Sequence, residues 1–450
     1  MRRLSRSDCL VGILVILTVL RLSAATGADR RPVAVPDPLS GENPVYRQLP
    51  QPLPDVGKPF GDSRFGTQFT RVTRQPGTRH EYARFDPFNK DQSMILLLAP
   101  AQGKFQVWRT RSMPYDAEAN SVRSVDLEEP RWDPEDRDLL WGTQGFRILT
   151  VHVSSGRTTT IKDFAADSKI SPLLRSEADL YRITMKDEGE SSWDKRYWAF
   201  ALQGSKDDYR FRYLFTWDRK TDQVLGLYKV SREEKEIDWV GMSPRGNWVL
   251  ISADANNKGR LAGVQIGDKA LTRFHRIDFA GAHGDVGMDA AGREVLVTQN
   301  PRTDHIDMLP LDLKTMPILE SAGSYEGTNR TPLVRLFYAS DSPVGFNCGV
   351  HISCNAPGWC VISTYAEPNA RQQNWLDRSI LLVRLDSRKP QAFYLAKVHN
   401  TTKAYWEETQ ASISNDGSKV VWAANWDQNA GKEQCFLMQL DVPPGWRAIK

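Results

Sequence analysis

The sequence predicts an all-β chain folded as a seven-bladed β-propeller of four-stranded blades. Three observations predict it. A turn followed by a short apolar strand recurs seven times, most copies are followed by a polar hairpin of β-forming residues, and no amphipathic helix of convincing length occurs in the 450 residues. Short strands at regular spacing, separated by turn signals, are the mark of radial β repetition.

The elements follow in chain order. Arg2, Arg3 and Arg6 precede an apolar run from Cys9 to Leu20, and small residues lead to Ala28. This layout predicts a secretory signal over residues 1–28 and a secreted or periplasmic chain. The run is shorter than the roughly 20 residues of a membrane span, so no stable membrane insertion is expected, a signal-anchor being the alternative. The segment takes four arginines and one aspartate with it, which reduces the net charge of +4 to +1 and leaves no electrostatic case for nucleic acid. Residues 29–66 are rich in proline and read as an extended arm. The propeller is expected over 67–450, with "TQFTRVTRQ" from Thr67 adding a strand to the last blade and closing the ring.

The repeat reads "NKDQSMILLL" from Asn89, "DPEDRDLLW" from Asp133, "SWDKRYWAF" from Ser192, "SPRGNWVLI" from Ser243, "DAAGREVLV" from Asp289, "NAPGWCVIS" from Asn355 and "SNDGSKVVW" from Ser414. Each opens on a small, amide or acidic residue suited to a tight turn and continues into β-formers. The starts lie 44 to 66 residues apart, one blade plus variable loops. Outer hairpins follow, as in "YLFTWDRKTDQVLGLY", "LPLDLKTMPIL" and "ILLVRLDSRKPQAFYLA".

In a propeller blade the innermost strand precedes this turn, so residues just upstream line the central channel. Reading upstream gives His80 and Tyr82, Arg131, Asp187, Trp239, His283 and Asp285, His351 and Ser353, then Glu408 and Gln410. Three of the seven histidines thus fall on inner strands. Imidazoles are common general bases and metal ligands, and polar groups converging at a funnel suit a polar ligand. The competing reading is that such residues only hydrogen-bond neighbouring blades around a wet channel. Trp132, Trp375 and Trp406 are candidate sugar platforms, against the usual core use of tryptophan.

"SPRGNWVLI" and "SNDGSKVVW" resemble the Ser-x-Asp-Gly turn of TolB-like propellers. "FTRVT…HEYARFDPFNKDQSMILLL", "HGDVGMDAAGREVLV" and "HISC…PGWCVIST" resemble secreted propellers related to oligogalacturonate lyase. That resemblance implies a polysaccharide lyase that cleaves a uronate-containing glycan by β-elimination. Arg131 would bind the uronate carboxylate, His80 or His283 would be the base, and Tyr82 the acid. Asp285 and Trp406 would contact an acidic polysaccharide or oligosaccharide. His283, His351, Glu408 and Gln410 would hold a divalent cation, manganese or calcium. The tight Gln-x-x-His-x-His run of those lyases is absent here. The alternative is a non-catalytic, TolB-like module binding a glycan or protein partner. A monomer is expected.

Four cysteines remain beyond residue 28: Cys348, Cys354, Cys360 and Cys435. An even number in an oxidising compartment predicts at least one disulfide among the first three. Spacings of six and six, with no second knuckle, argue against structural zinc. No G-x-S-x-G elbow or phosphate loop occurs.

Overall fold

The computed structural model describes residues 32–447 apart from 41, 49, 63, 255, 279–280, 282, 301–302, 315–328, 337–347 and 367–373, so the signal segment lies outside the described residues. Seven antiparallel sheets form a propeller ring. Five sheets have four strands in chain order, each a meander of hairpins. The first has three strands, Met94–Ala99, Lys104–Arg109 and Ser121–Val125, and its inner segment joins through single bridges at Arg79↔Leu98 and Phe88↔Ile95. The last has five: Ser412–Ile413, Lys419–Ala424, Phe436–Asp441, Thr67–Arg71 and Pro59–Asp62, with Phe69 opposite Leu440. Numbering blades by their inner strands, blade two begins with Glu128–Trp132, three with Leu180–Thr184, four with Ile237–Met242, five with Gly284–Met288, six with Cys348–Ser353 and seven with Ser412–Ile413.

Hydrogen bonds explain the repeated turn. In the turns opening at Asn89, Ser192, Ser243 and Ser414, the N–H of the fourth residue (Gln92, Lys195, Gly246, Gly417) donates to the first residue's carbonyl at 2.8–2.9 Å. The first residue's side-chain oxygen accepts the N–H five residues on, from Met94, Tyr197, Trp248 and Lys419, at 2.9–3.0 Å. The fourth residue sits at φ of 56° to 70°, a region natural to glycine. The motif therefore selects a short oxygen-bearing side chain first and glycine fourth.

The core lies between blades. Trp141, Trp198, Phe200 and Trp217 fill the space between blades two and three, and Val297, Val350, Ile352 and Ile362 that between five and six. Burying an aliphatic or aromatic side chain of this size contributes about 1.5–3 kcal/mol. Residues around Val33 and Val35 run along the outer strand Gln391–Lys397 of blade six, and Tyr46 packs on Tyr394 at 5.0 Å.

Several expectations change. Cys354, Cys360 and Cys435 are buried free thiols, so the expected disulfide does not form among the described residues; the side chain of Cys348 lies outside them. Cys354 follows the inner strand and Cys360 lies in the next strand, both packed in the apolar core between blades five and six, where small thiols serve as filling. Trp375 is fully buried core. The strand expected at Met316–Leu319 lies outside the described residues, and the outer strand of blade five is Thr331–Arg335. No helix among the described residues is long and apolar enough to cross a membrane.

Candidate functional site

Inner strands enter the channel at one mouth and leave it at the turns. Four residues separate His351 from Asn355 at the turn, about 13 Å along an extended strand. The two mouths are therefore distinct places.

At the entry mouth, His283 of blade five and His351 of blade six face each other with ring centroids 5.0 Å apart. His351 Nε2 lies 2.6 Å from Glu408 Oε2 on the approach to blade seven. The Tyr82 ring meets His351 edge-on at 5.4 Å, and the Tyr365 ring stacks on it at 5.7 Å. Gly349 makes room for Tyr365: a Cβ there would stand 1.7 Å from the tyrosine ring. Burial, together with the charges of Arg79 and Arg84, pushes His351 down to about 3. Burial and the neighbouring His351 push His283 down to about 4. Both imidazoles are neutral at neutral pH. A neutral His351 donates its Nε2–H to Glu408, whose carboxyl is itself pushed up by burial. His283 is half-buried and its ring nitrogens have no hydrogen bond among the described residues. It is the imidazole of the pair that is free to take a proton. Burial holds the Tyr82 phenol well above its ordinary value, so it stays a proton donor, and Tyr405, a partly exposed tyrosine, lies near enough to add to that shift.

The other expected residues are employed differently. His80 is fully buried, with Nε2 against the Gln410 carbonyl, and it ties blade one to blade seven. That removes it as the base. Asp285 is a strap between blades five and six: it accepts the Cys354 N–H at 2.6 Å and the Val286 N–H at 2.8 Å, which takes it out of substrate contact. Arg131 lies on Phe85, its guanidinium carbon 3.2 Å from the ring centroid, and pairs with Glu81 at 2.8 Å. Its other partners are the Pro130 and Asp187 carbonyls, so it braces the channel and does not join the histidines. Trp406 is half-buried over Arg79, and the more exposed aromatic is Tyr405.

Two arginines escaped the sequence reading. Arg79 donates to the Trp406 carbonyl and, at 2.7 Å, to the Gln410 side-chain oxygen. Arg84 pairs with Glu188 at 2.9 Å and stacks on Trp239 at 4.6 Å. Both flank "HEYA", where nothing in spacing distinguishes them from surface arginines; only the folded channel shows them buried.

This donor set does not fit a metal ion. The Gln410 oxygen is held by a buried guanidinium, His351 Nε2 is engaged with Glu408, and among the described residues no three His, Cys, Asp or Glu groups are placed to share an ion. The inner strand that carries His351 reads Cys348-Gly-Val-His351-Ile-Ser353, and the Ser353 hydroxyl accepts the Ile413 N–H at 3.1 Å.

Fold and channel together define a seven-bladed propeller with a polar, imidazole-bearing entry mouth. Similar solved structures are an oligogalacturonate lyase in complex with manganese, 11% identical with a TM-score of 0.55 over 87% of this chain and 97% of that one. Another is the oligogalacturonate lyase of Vibrio parahaemolyticus, 10% identical with a TM-score of 0.55 over 86% and 97%. The likeness is one of fold. No protein-family model matches the chain, and no curated protein matches it in sequence.

Proposed function

We propose that the entry mouth cleaves an acidic, uronate-containing oligosaccharide or polysaccharide by β-elimination. The observation that carries this reading is the neutral His283 imidazole, without a hydrogen bond among the described residues, beside the His351–Glu408 pair whose imidazole meets the Tyr82 ring. The proton α to the uronate carboxylate passes to His283. Its electron pair becomes the ring double bond as the bond from carbon to the leaving glycosidic oxygen breaks, and that oxygen takes the Tyr82 proton. Arg84, whose charge acts on both His283 and His351 and whose partner Glu188 is 28% exposed, is the candidate to neutralise the substrate carboxylate. An anionic substrate alongside His283 raises its proton affinity toward the working range. No step here uses a metal.

The absence of a Gln-x-x-His-x-His run from the chain and the engagement of His351 with Glu408 support a second reading, a propeller that binds the acidic glycan without cleaving it. One assay separates the two. Incubation with a panel of uronic-acid polysaccharides yields an ultraviolet-absorbing unsaturated product in the first case. Saturable binding without that product, on every member of the panel, overturns the lyase reading.

A further inference from the structure

The turn-side mouth of the channel holds a separate cavity of about 320 Å³, near the lower end of the roughly 300–1,000 Å³ range of small-molecule pockets. Arg131, paired with Glu81 at 2.8 Å, is in its lining, and His283, His351 and Glu408 are not. Phe88, Trp132 and the half-buried Trp193 give it an aromatic wall.

Three cations line this cavity. Lys90 is paired with Glu135 at 2.9 Å and Arg131 with Glu81 at 2.8 Å. Lys195 is only 6% exposed, yet its ammonium has no hydrogen bond or ion pair among the described residues. Burial pushes its proton affinity down, and Glu190 and Asp133 oppose that only at a distance. A largely buried lysine whose ammonium has no protein partner at the cavity is an arrangement that an anion there would stabilise. Arg131 Nε is likewise buried without a hydrogen bond, with Glu190 at 3.8 Å.

The position of Lys195 in the repeat is a second, independent sign. It occupies the fourth place of the turn "SWDK", where Gly246 and Gly417 sit in sister blades, and holds φ at 56°. Gln92 departs from glycine in the same way, but its amide bridges to Asp416 and Ser418 at 2.8 Å and so ties blade one to blade seven. Lys195 accepts the same backbone strain and ties nothing.

We propose that this mouth binds one sugar-acid ring, its carboxylate on Lys195 and its face against Trp193. The carboxylates of Asp86, Asp133, Glu190 and Asp416 in the lining suit sugar hydroxyls as donors and repel a dianion such as phosphate. The inference concerns a different site from the elimination reading and stands or falls without it.

Titration calorimetry of the full chain tests it, with D-galacturonate, D-galactose and inorganic phosphate as probes. The parent binds galacturonate saturably and more tightly than galactose or phosphate. Lys195→Gly and Lys195→Met each weaken galacturonate by about tenfold or more, the size expected from a lost charge-assisted hydrogen bond. Lys195→Gly keeps a melting temperature at or above the parent's, because glycine prefers this φ, so weakened binding is not misfolding. Absence of saturable binding, equal affinity in Lys195→Gly, galactose binding as tightly as galacturonate, or phosphate binding more tightly overturns the proposal.

Discussion

The two mouths of the channel are made from the same repeated unit, yet their polar groups are settled in opposite ways. At the entry mouth nearly every polar side chain is answered by another: His351 by Glu408, Arg79 by Gln410, Arg84 by Glu188, His80 by a carbonyl. His283 makes no hydrogen bond among the described residues, while Nδ1 of His80 and His351, Arg84 Nε and Gln410 Nε2 are single buried atoms left over on side chains that are otherwise engaged. At the turn-side mouth the exception is a cation, Lys195. Polarity alone therefore does not mark function in a propeller channel, because most of it staples blades. The informative residue is the polar side chain with no protein partner that still reaches the channel: an imidazole at one end, an ammonium at the other.

The largest expected effect breaks the entry mouth. His283→Ala lowers the elimination rate by about 10²–10⁴-fold, the usual contribution of a general base, while its melting curve stays near the parent's. A variant that unfolds, or one that cleaves normally, assigns His283 to packing.

A pH series of melting temperatures comes next. His80, His283, His351 and His399 are held down to between about 3 and 4, whereas Glu81, Asp86 and Asp285 are pushed up by burial to about 7. Between the ordinary carboxyl value near 4.5 and the ordinary imidazole value near 6.5, the folded chain lacks imidazole protons but holds carboxyl protons, and the two nearly cancel. Below about 4.5 the unfolded carboxyls fill as well and the cancellation ends. The unfolded chain then binds more protons, and stability falls with falling pH by about 1.4 kcal/mol per pH unit for each uncompensated proton. As pH rises through about 7 the buried carboxyls ionise and stability declines again. A plateau between these limits is expected; a monotonic rise to pH 8 would count against the buried carboxyls.

Smaller effects sharpen the contrast between stapling and function. Asp285→Ala removes the strap to the Cys354 N–H and destabilises by about 1.5–3 kcal/mol in denaturant unfolding, with kcat unchanged. An unaltered midpoint would return Asp285 to the site. Smallest of all, chelation and reduction should do nothing. Dialysis against a chelator leaves activity and melting unchanged, because the Gln410 oxygen and His351 Nε2 are already engaged. Unreduced, denatured protein shows Cys354, Cys360 and Cys435 reacting as free thiols. A manganese requirement, or loss of those thiols, would reverse these two points.

Much of this architecture was legible in the sequence, because the turn is written by side-chain hydrogen bonding that selects Ser, Asn or Asp first and favours, without requiring, glycine fourth. The same phase located His351 on the inner strand of blade six and His283 one residue before that of blade five. It failed for His80, Asp285 and Arg131, since phase says which residue faces the channel and not whether another blade's carbonyl, amide or carboxylate has already claimed it. Arg79 and Arg84 gave no signal at all; burial makes them matter, and burial is set by blades far off in the chain. Lys195 was visible as a lysine in a glycine's place, though the turn pattern alone does not show that its ammonium goes unpaired.

The measurement that tests the account most directly is the ultraviolet assay of unsaturated product on a uronic-acid polysaccharide panel, run on the parent, His283→Ala and Lys195→Gly side by side. The account predicts product from the parent, loss of at least about 10²-fold in His283→Ala, and an unchanged kcat in Lys195→Gly. No product from the parent on any substrate, or equal loss in both variants, would contradict it.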